Sequence, residues 1–156
     1  MGVSGAGKTT VGRILADQLG WQFHDGDDLH PDANKQKMHR GVPLTDDDRW
    51  PWLRRVRGVI DQCLRDRVDA VIACSALRQS YRDLLIDDPE KVKLVYLRGS
   101  QAEIAIRLAK RTHRFMNPEL LKSQFDTLEE PRDACIVDIS ATPEAIVAAI
   151  RSQLRL

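Results

Sequence analysis

Residues 2–9 read Gly2-Val3-Ser4-Gly5-Ala6-Gly7-Lys8-Thr9, a complete G-x-x-x-x-G-K-[ST] phosphate-binding loop. Its glycines let successive backbone N–H groups turn inward as a nest for phosphate oxygens. Lys8 is placed to reach the β- and γ-phosphates, and the Thr9 hydroxyl to ligate Mg²⁺. Val11, Ile14, Leu15 and Leu19 recur at helical spacing and Gly20 closes the run. The helix they predict points its positive end at the same phosphates.

A loop of this kind joins a strand to a helix, yet only Met1 precedes Gly2. The geometry predicts a natural start roughly ten residues upstream, with a short apolar strand leading into the loop. Without it a parallel sheet has a dry, unpaired gap in its core.

Beyond the loop, apolar runs alternate with helical patterns. Trp21–His24 reads as a short strand running into the polar turn Asp25-Gly26-Asp27-Asp28. A helix is expected from about Asp32 to Arg40, and a longer one from Asp46, where acids suit the positive end of the dipole. Ala70–Cys74, Val92–Leu97 and Ala134–Ile139 are apolar enough for strands covered on both faces. Helices fill the intervals at roughly 79–86, 101–112, 117–127 and 143–154. The pattern predicts one three-layer α/β domain over residues 1–156, with a parallel sheet of four visible strands and a fifth missing. Ligands in such sheets sit beyond the carboxyl ends of the strands, which selects the loops at 2–9, 25–31, 75–82 and 98–101.

The 24 lysines and arginines against 23 acids leave a net charge of +1, without the basic excess of a nucleic-acid binder. Cys63, Cys74 and Cys135 suit reduced thiols in the cytosol better than disulfides or a zinc site. No apolar run approaches 18 residues, so no membrane span is predicted. The expected location is the cytoplasm.

Chemistry concentrates at the strand ends. Asp25 and Asp27 lie two apart in an extended segment and point differently, so one can serve the metal while the other accepts a proton from, or orients, a hydroxyl. Arg49 sits just inside a helix start, against the favourable dipole direction. It therefore answers a carboxylate, either structural (Asp46 or Asp47) or on a substrate. Ser75 can hydrogen-bond a hydroxylated ligand, and Arg78 or Arg82 can clamp an anion; Arg78 also reads as part of a solvated helix face. Arg107, Lys110, Arg111, His113 and Arg114 are the densest basic cluster. They break between two helices, which suits a lid over about 107–127.

These segments together resemble the gluconate kinases (gluconokinases). The resemblance covers nearly the whole chain and is narrowest in Asp25-Gly26-Asp27 with Leu29-His30-Pro31, and in Cys74-Ser75-Ala76-Leu77 with Tyr81-Arg82-Asp83. It extends through Asn34, Lys37-Met38, Asp46–Arg49, Pro51-Trp52-Leu53, Gln124-Phe125 and Thr127-Leu128-Glu129. It implies a P-loop kinase fold of five strands and Mg²⁺-dependent transfer of the ATP γ-phosphoryl to the 6-hydroxyl of D-gluconate, in a cytoplasmic homodimer. It further implies that Gly2 to Thr10, with Arg107 and Arg111, bind ATP, and that Lys8 stabilises the transferring group. Thr9 and Asp25 would hold the metal. Asp27 would meet the acceptor hydroxyl, with His30, Arg49, Ser75 and Arg82 contacting gluconate. Arg114 stands where the family has a lid histidine, and His113 is one place earlier. A kinase for another small hydroxylated acid such as shikimate, a nucleotide-binding regulator without turnover, or an inactive fragment are the competing readings.

Overall fold

Four apolar runs become parallel strands, and helices carry the chain back between them, as parallel pairing requires. The computed structural model describes residues 1–109 and 118–156. In chain order these are α1 (Lys8–Leu19), β1 (Gln22–Asp25), a 3₁₀ turn (Gly26–Leu29), α2 (Asp32–His39), α3 (Asp46–Asp66) and β2 (Ala70–Ala73). Then come α4 (Gln79–Leu85), β3 (Val95–Arg98), α5 (Gln101–Ala109), α6 (Pro118–Thr127), β4 (Cys135–Asp138) and α7 (Pro143–Leu154).

Helix boundaries follow local chemistry. Thr45 and Asp48 form a reciprocal capping box at the start of α3, and Thr142 accepts from Ala145 N–H ahead of Pro143 in α7. The third strand begins later than the apolar run suggests. Lys91 and Val92 N–H both bond back to Asp88 O, which holds that part of the run in a turn. Two faces of one strand make the three layers: Val71 packs with the core of α1 and α7, and Ile72 with the core of α3 and α4.

The strands are arranged as two parallel pairs, β1 with β2 and β3 with β4, rather than one continuous ladder. Gln22–Asp25 align with Ala70–Ala73, and Val95–Arg98 with Cys135–Asp138. Met1 lies between the pairs. Its amine donates to Val95 O, its carbonyl accepts from Leu97 N–H at 3.0 Å, and Gly2 N–H donates to Ser75 O at 3.2 Å. A cleft of about 290 Å³ is lined by Met1, by Ala70–Cys74 and by Leu94, Val95 and Leu97. Burial, aided by Lys8, brings the Met1 amine down to about 5.

Candidate active site

The phosphate loop crosses from Met1 into α1 through Gly7, whose φ of 97° lies in the left-handed region that favours glycine. No acid occupies the first turn of α1, so its positive end is uncompensated by the helix itself. Lys8 Nζ folds over the loop and donates to Gly2 O and Val3 O at 3.0 and 3.1 Å. Thr9 and Thr10 are exposed in the same turn. The Thr9 hydroxyl donates to Asp25 Oδ2 at 2.8 Å, so the end of β1 meets the start of α1 through two hard oxygen groups.

Asp25 also caps the following 3₁₀ turn by accepting from Asp27 N–H at 3.1 Å. The two carboxylates therefore divide as their spacing suggests: Asp25 is held against Thr9, and Asp27 is exposed. Gly26 is required between them because an added Cβ would lie 2.6 Å from Ala73 O. Trp52 Nε1 donates to Gly26 O at 2.7 Å, tying the turn to α3. The 25–27 turn thus touches the phosphate loop on one side and α3 on the other.

His30 does not face this turn as an open ligand. It is 5% exposed, stacks on Trp52 with ring centroids 4.1 Å apart, and accepts at Nδ1 from the Asn34 amide. Burial first, then Lys35 and Arg49, lower its pKa from 6.5 to about 4. The unfolded imidazole therefore binds a proton at a pH where the folded one does not. Stability is complete above about pH 6.5 and declines as pH falls toward 4. The melting midpoint is expected to show that decline, and His30→Gln to flatten it between pH 6.5 and 4; an unchanged slope would deny His30 this role.

The arginines sort differently from their sequence reading. Arg49 Nη1 donates to Asp46 Oδ1 at 3.3 Å and to the Tyr81 hydroxyl at 3.2 Å. Arg78 Nη1 donates to Asp46 Oδ2 at 2.7 Å, and Tyr81 Oη donates to Asp46 Oδ1 at 2.5 Å. The Tyr81 hydrogen bond, then Arg78 and Arg49, hold the Asp46 carboxyl below its usual range. Two guanidiniums share one carboxylate, leaving a surplus positive charge beside α3. Asp46 is one of the two structural partners offered for Arg49, and Arg78 is one of the two candidate anion clamps; the link between them through Tyr81 has no counterpart in the sequence reading. Asp46 is within one helical turn of Arg49, but Arg78 and Tyr81 lie 32 and 35 positions from it, beyond any local pattern.

Arg82 is turned inward and 3% exposed. Its Nη1 donates to Ala76 O and Leu77 O at 3.0 and 3.1 Å, and Nη2 to Gln79 Oε1 at 2.8 Å. It thereby braces a turn where Ala76 adopts φ 44°, a left-handed conformation costly for a residue with a side chain. Ser75 is half-buried, with its carbonyl bonded to Gly2 N–H. Arg107, at the end of α5, donates to Ile139 O beyond β4. Arg111 and the rest of the basic cluster (Lys110, His113, Arg114) lie outside the described residues. Among the described residues no three His, Cys, Asp or Glu groups converge on a metal position. Thr9 and Asp25 offer two hard oxygen groups beside the phosphate loop, the donor type that suits Mg²⁺.

A family model for shikimate kinase matches residues 4–154. The gluconokinase of Gluconobacter oxydans (strain 621H) is 48% identical over 85% of this chain and 75% of its own. The probable gluconokinase of Mus musculus is 42% identical over 99% of this chain and 95% of its own. A crystal structure of a gluconokinase from Sinorhizobium meliloti 1021 matches with a TM-score of 0.86 at 42% identity, covering 99% of this chain and 89% of that one.

Proposed function

The chain belongs to the gluconokinase family of P-loop kinases, and from that premise we propose how its site carries out the reaction. It is an ATP-dependent kinase that moves the γ-phosphoryl of ATP to the 6-hydroxyl of D-gluconate, giving 6-phospho-D-gluconate and ADP. The observation that carries the residue assignment is the 25–27 turn. It joins the phosphate loop, through Thr9 and Asp25, to the first turns of α3, through Gly26 and Trp52, where Arg49 and Arg78 meet at Asp46. An acceptor anchored at the arginines extends its far hydroxyl toward Asp27.

In this reading the loop 2–10 holds the phosphates and Lys8 draws off charge from the transferring group. Thr9 and Asp25 hold Mg²⁺, which when bound neutralises the phosphate charge. Asp27 accepts a hydrogen bond from the 6-hydroxyl and aims its oxygen at phosphorus. As the new O–P bond forms and the bond to the β-phosphate oxygen breaks, the hydroxyl proton passes to Asp27. Arg49 and Arg78 bind the gluconate carboxylate. Ser75 contacts the polyol, while Arg82 and His30 shape the pocket from behind. Arg107, with Arg111, serves the nucleotide, and the stretch 107–127 covers the phosphates. Support for the cover comes from α5 and α6, since side-chain atoms of Leu108 and Ile104 lie 3.0 and 3.1 Å from where a Cβ on Gly5 would stand, and Gln124 reaches Ser4. The proposal includes a cytoplasmic homodimer, which sedimentation of the purified protein checks.

Mg²⁺-dependent ADP release with gluconate, with shikimate and with no acceptor tests the assignment. Release stimulated by gluconate alone supports it, and shikimate-dependent release would move the substrate. Arg49→Ala is expected to raise the gluconate KM about 10–100-fold, since hydrogen bonds to charged groups contribute about 1.5–3 kcal/mol, with the ATP KM unchanged. An unaltered gluconate KM would remove Arg49 from the site.

A further inference from the structure

Helix α6 touches both halves of the reaction. Its inner face is anchored in the core, where Leu121 is 4% exposed and Phe125 and Leu128 pack alongside. On the phosphate side, Gln124 Oε1 accepts from Ser4 N–H, inside the loop, at 2.6 Å. Just past the helix, Glu129 N–H donates to Leu77 O at 2.8 Å, and Glu129 Oε2 accepts from Gln79 N–H at 2.6 Å. Gln79 is the first residue of α4, and Arg78 at its N-cap position supplies no side-chain cap. Glu129 therefore caps α4 from 50 residues away. The 75–79 segment it grips carries Arg78 and the turn braced by Arg82, whose buried guanidinium the Glu129 charge also favours.

We propose that Gln124 and Glu129 are positioning residues: through α6 they hold the phosphate loop and the acceptor loop 75–79 at one fixed separation. The proposal rests on the kinase reading above and assigns these two side chains a part in it. Transfer depends on the acceptor oxygen standing in line with the γ-phosphorus, and a misplacement of about 1 Å can cost on the order of 100-fold in rate. Neither side chain touches a reacting atom in this scheme. Glu129 is exposed and Gln124 half-buried, so their removal leaves the core of α6 in place.

Gln124→Met keeps the volume and removes the acceptor, Glu129→Ala removes the cap, and Glu129→Gln keeps an oxygen for Gln79 N–H. The expected result is about a tenfold fall in kcat for Gln124→Met and Glu129→Ala, with both KM values within about twofold and Glu129→Gln close to wild type. The double variant should lose less than the product of the two singles, because both serve one separation. Hydrogen exchange on the same proteins without substrates supplies a readout independent of turnover. Gln124→Met should speed exchange over 75–81 as well as 2–9, at an unchanged melting midpoint. An exchange effect confined to 2–9, a raised KM with unchanged kcat, or a Glu129→Gln as slow as Glu129→Ala would each overturn the proposal. A wild-type protein unresponsive to gluconate would instead count against the kinase reading, and the exchange result would still decide whether the two loops are held together.

Discussion

Lys8→Met is expected to lower kcat by about 10²–10³-fold, the usual cost of removing one preorganised group from developing transition-state charge. The ammonium is the single formal cation inside the phosphate loop. In this structure it donates to the carbonyls of Gly2 and Val3, within the same loop. Methionine retains the apolar stem and loses the charge with its hydrogen bonds to the loop carbonyls, and Lys8 belongs to neither core cluster. The melting midpoint should therefore hold while turnover collapses. ATP affinity should weaken as well, since the lysine also meets the ground-state phosphates. Single-turnover phosphoryl transfer at saturating ATP separates the two effects. A loss below tenfold there would mean that Lys8 binds nucleotide without stabilising its transfer.

Asp27→Asn is expected to lower kcat about 100-fold with ATP affinity within about twofold of wild type. General-base contributions run to about 10²–10⁴, and the loose transition state of phosphoryl transfer places this one at the lower end, because little proton transfer accompanies bond breaking. Asparagine preserves the turn, whose bond to Asp25 comes from the Asp27 backbone N–H. Kinetics with gluconate and a fluorescence titration with an ATP analogue provide the check. Loss of ATP binding would place Asp27 with the metal instead of the acceptor. Unchanged turnover would leave the acceptor hydroxyl without its partner and return weight to a regulator.

The different placement of Asp25 and Asp27 was readable because it depends on two residues in one extended segment. Arg49 was readable only as a residue in need of a carboxylate. Asp46 answers it from one helical turn away, and α4 coming alongside α3 adds Arg78 and Tyr81 to the same carboxylate across 32 and 35 positions. His30 and Arg82 show the opposite outcome. Both carry polar groups in the narrowest family motifs, yet packing against Trp52 buries one and the strained turn at Ala76 engages the other.

By itself the sequence determined the phosphate loop, the α/β alternation, the start of the long helix at Asp46, and the family. Each rests on short-range spacing, where a few consecutive residues settle backbone conformation or a recognisable motif. Only the tertiary structure decided that the strands stand as two pairs with Met1 between them, that Asp46 gathers two arginines, and that α6 joins Ser4 to Gln79. Those are contacts between segments distant in the chain. Their partners are selected by which faces are buried together, which no local pattern encodes.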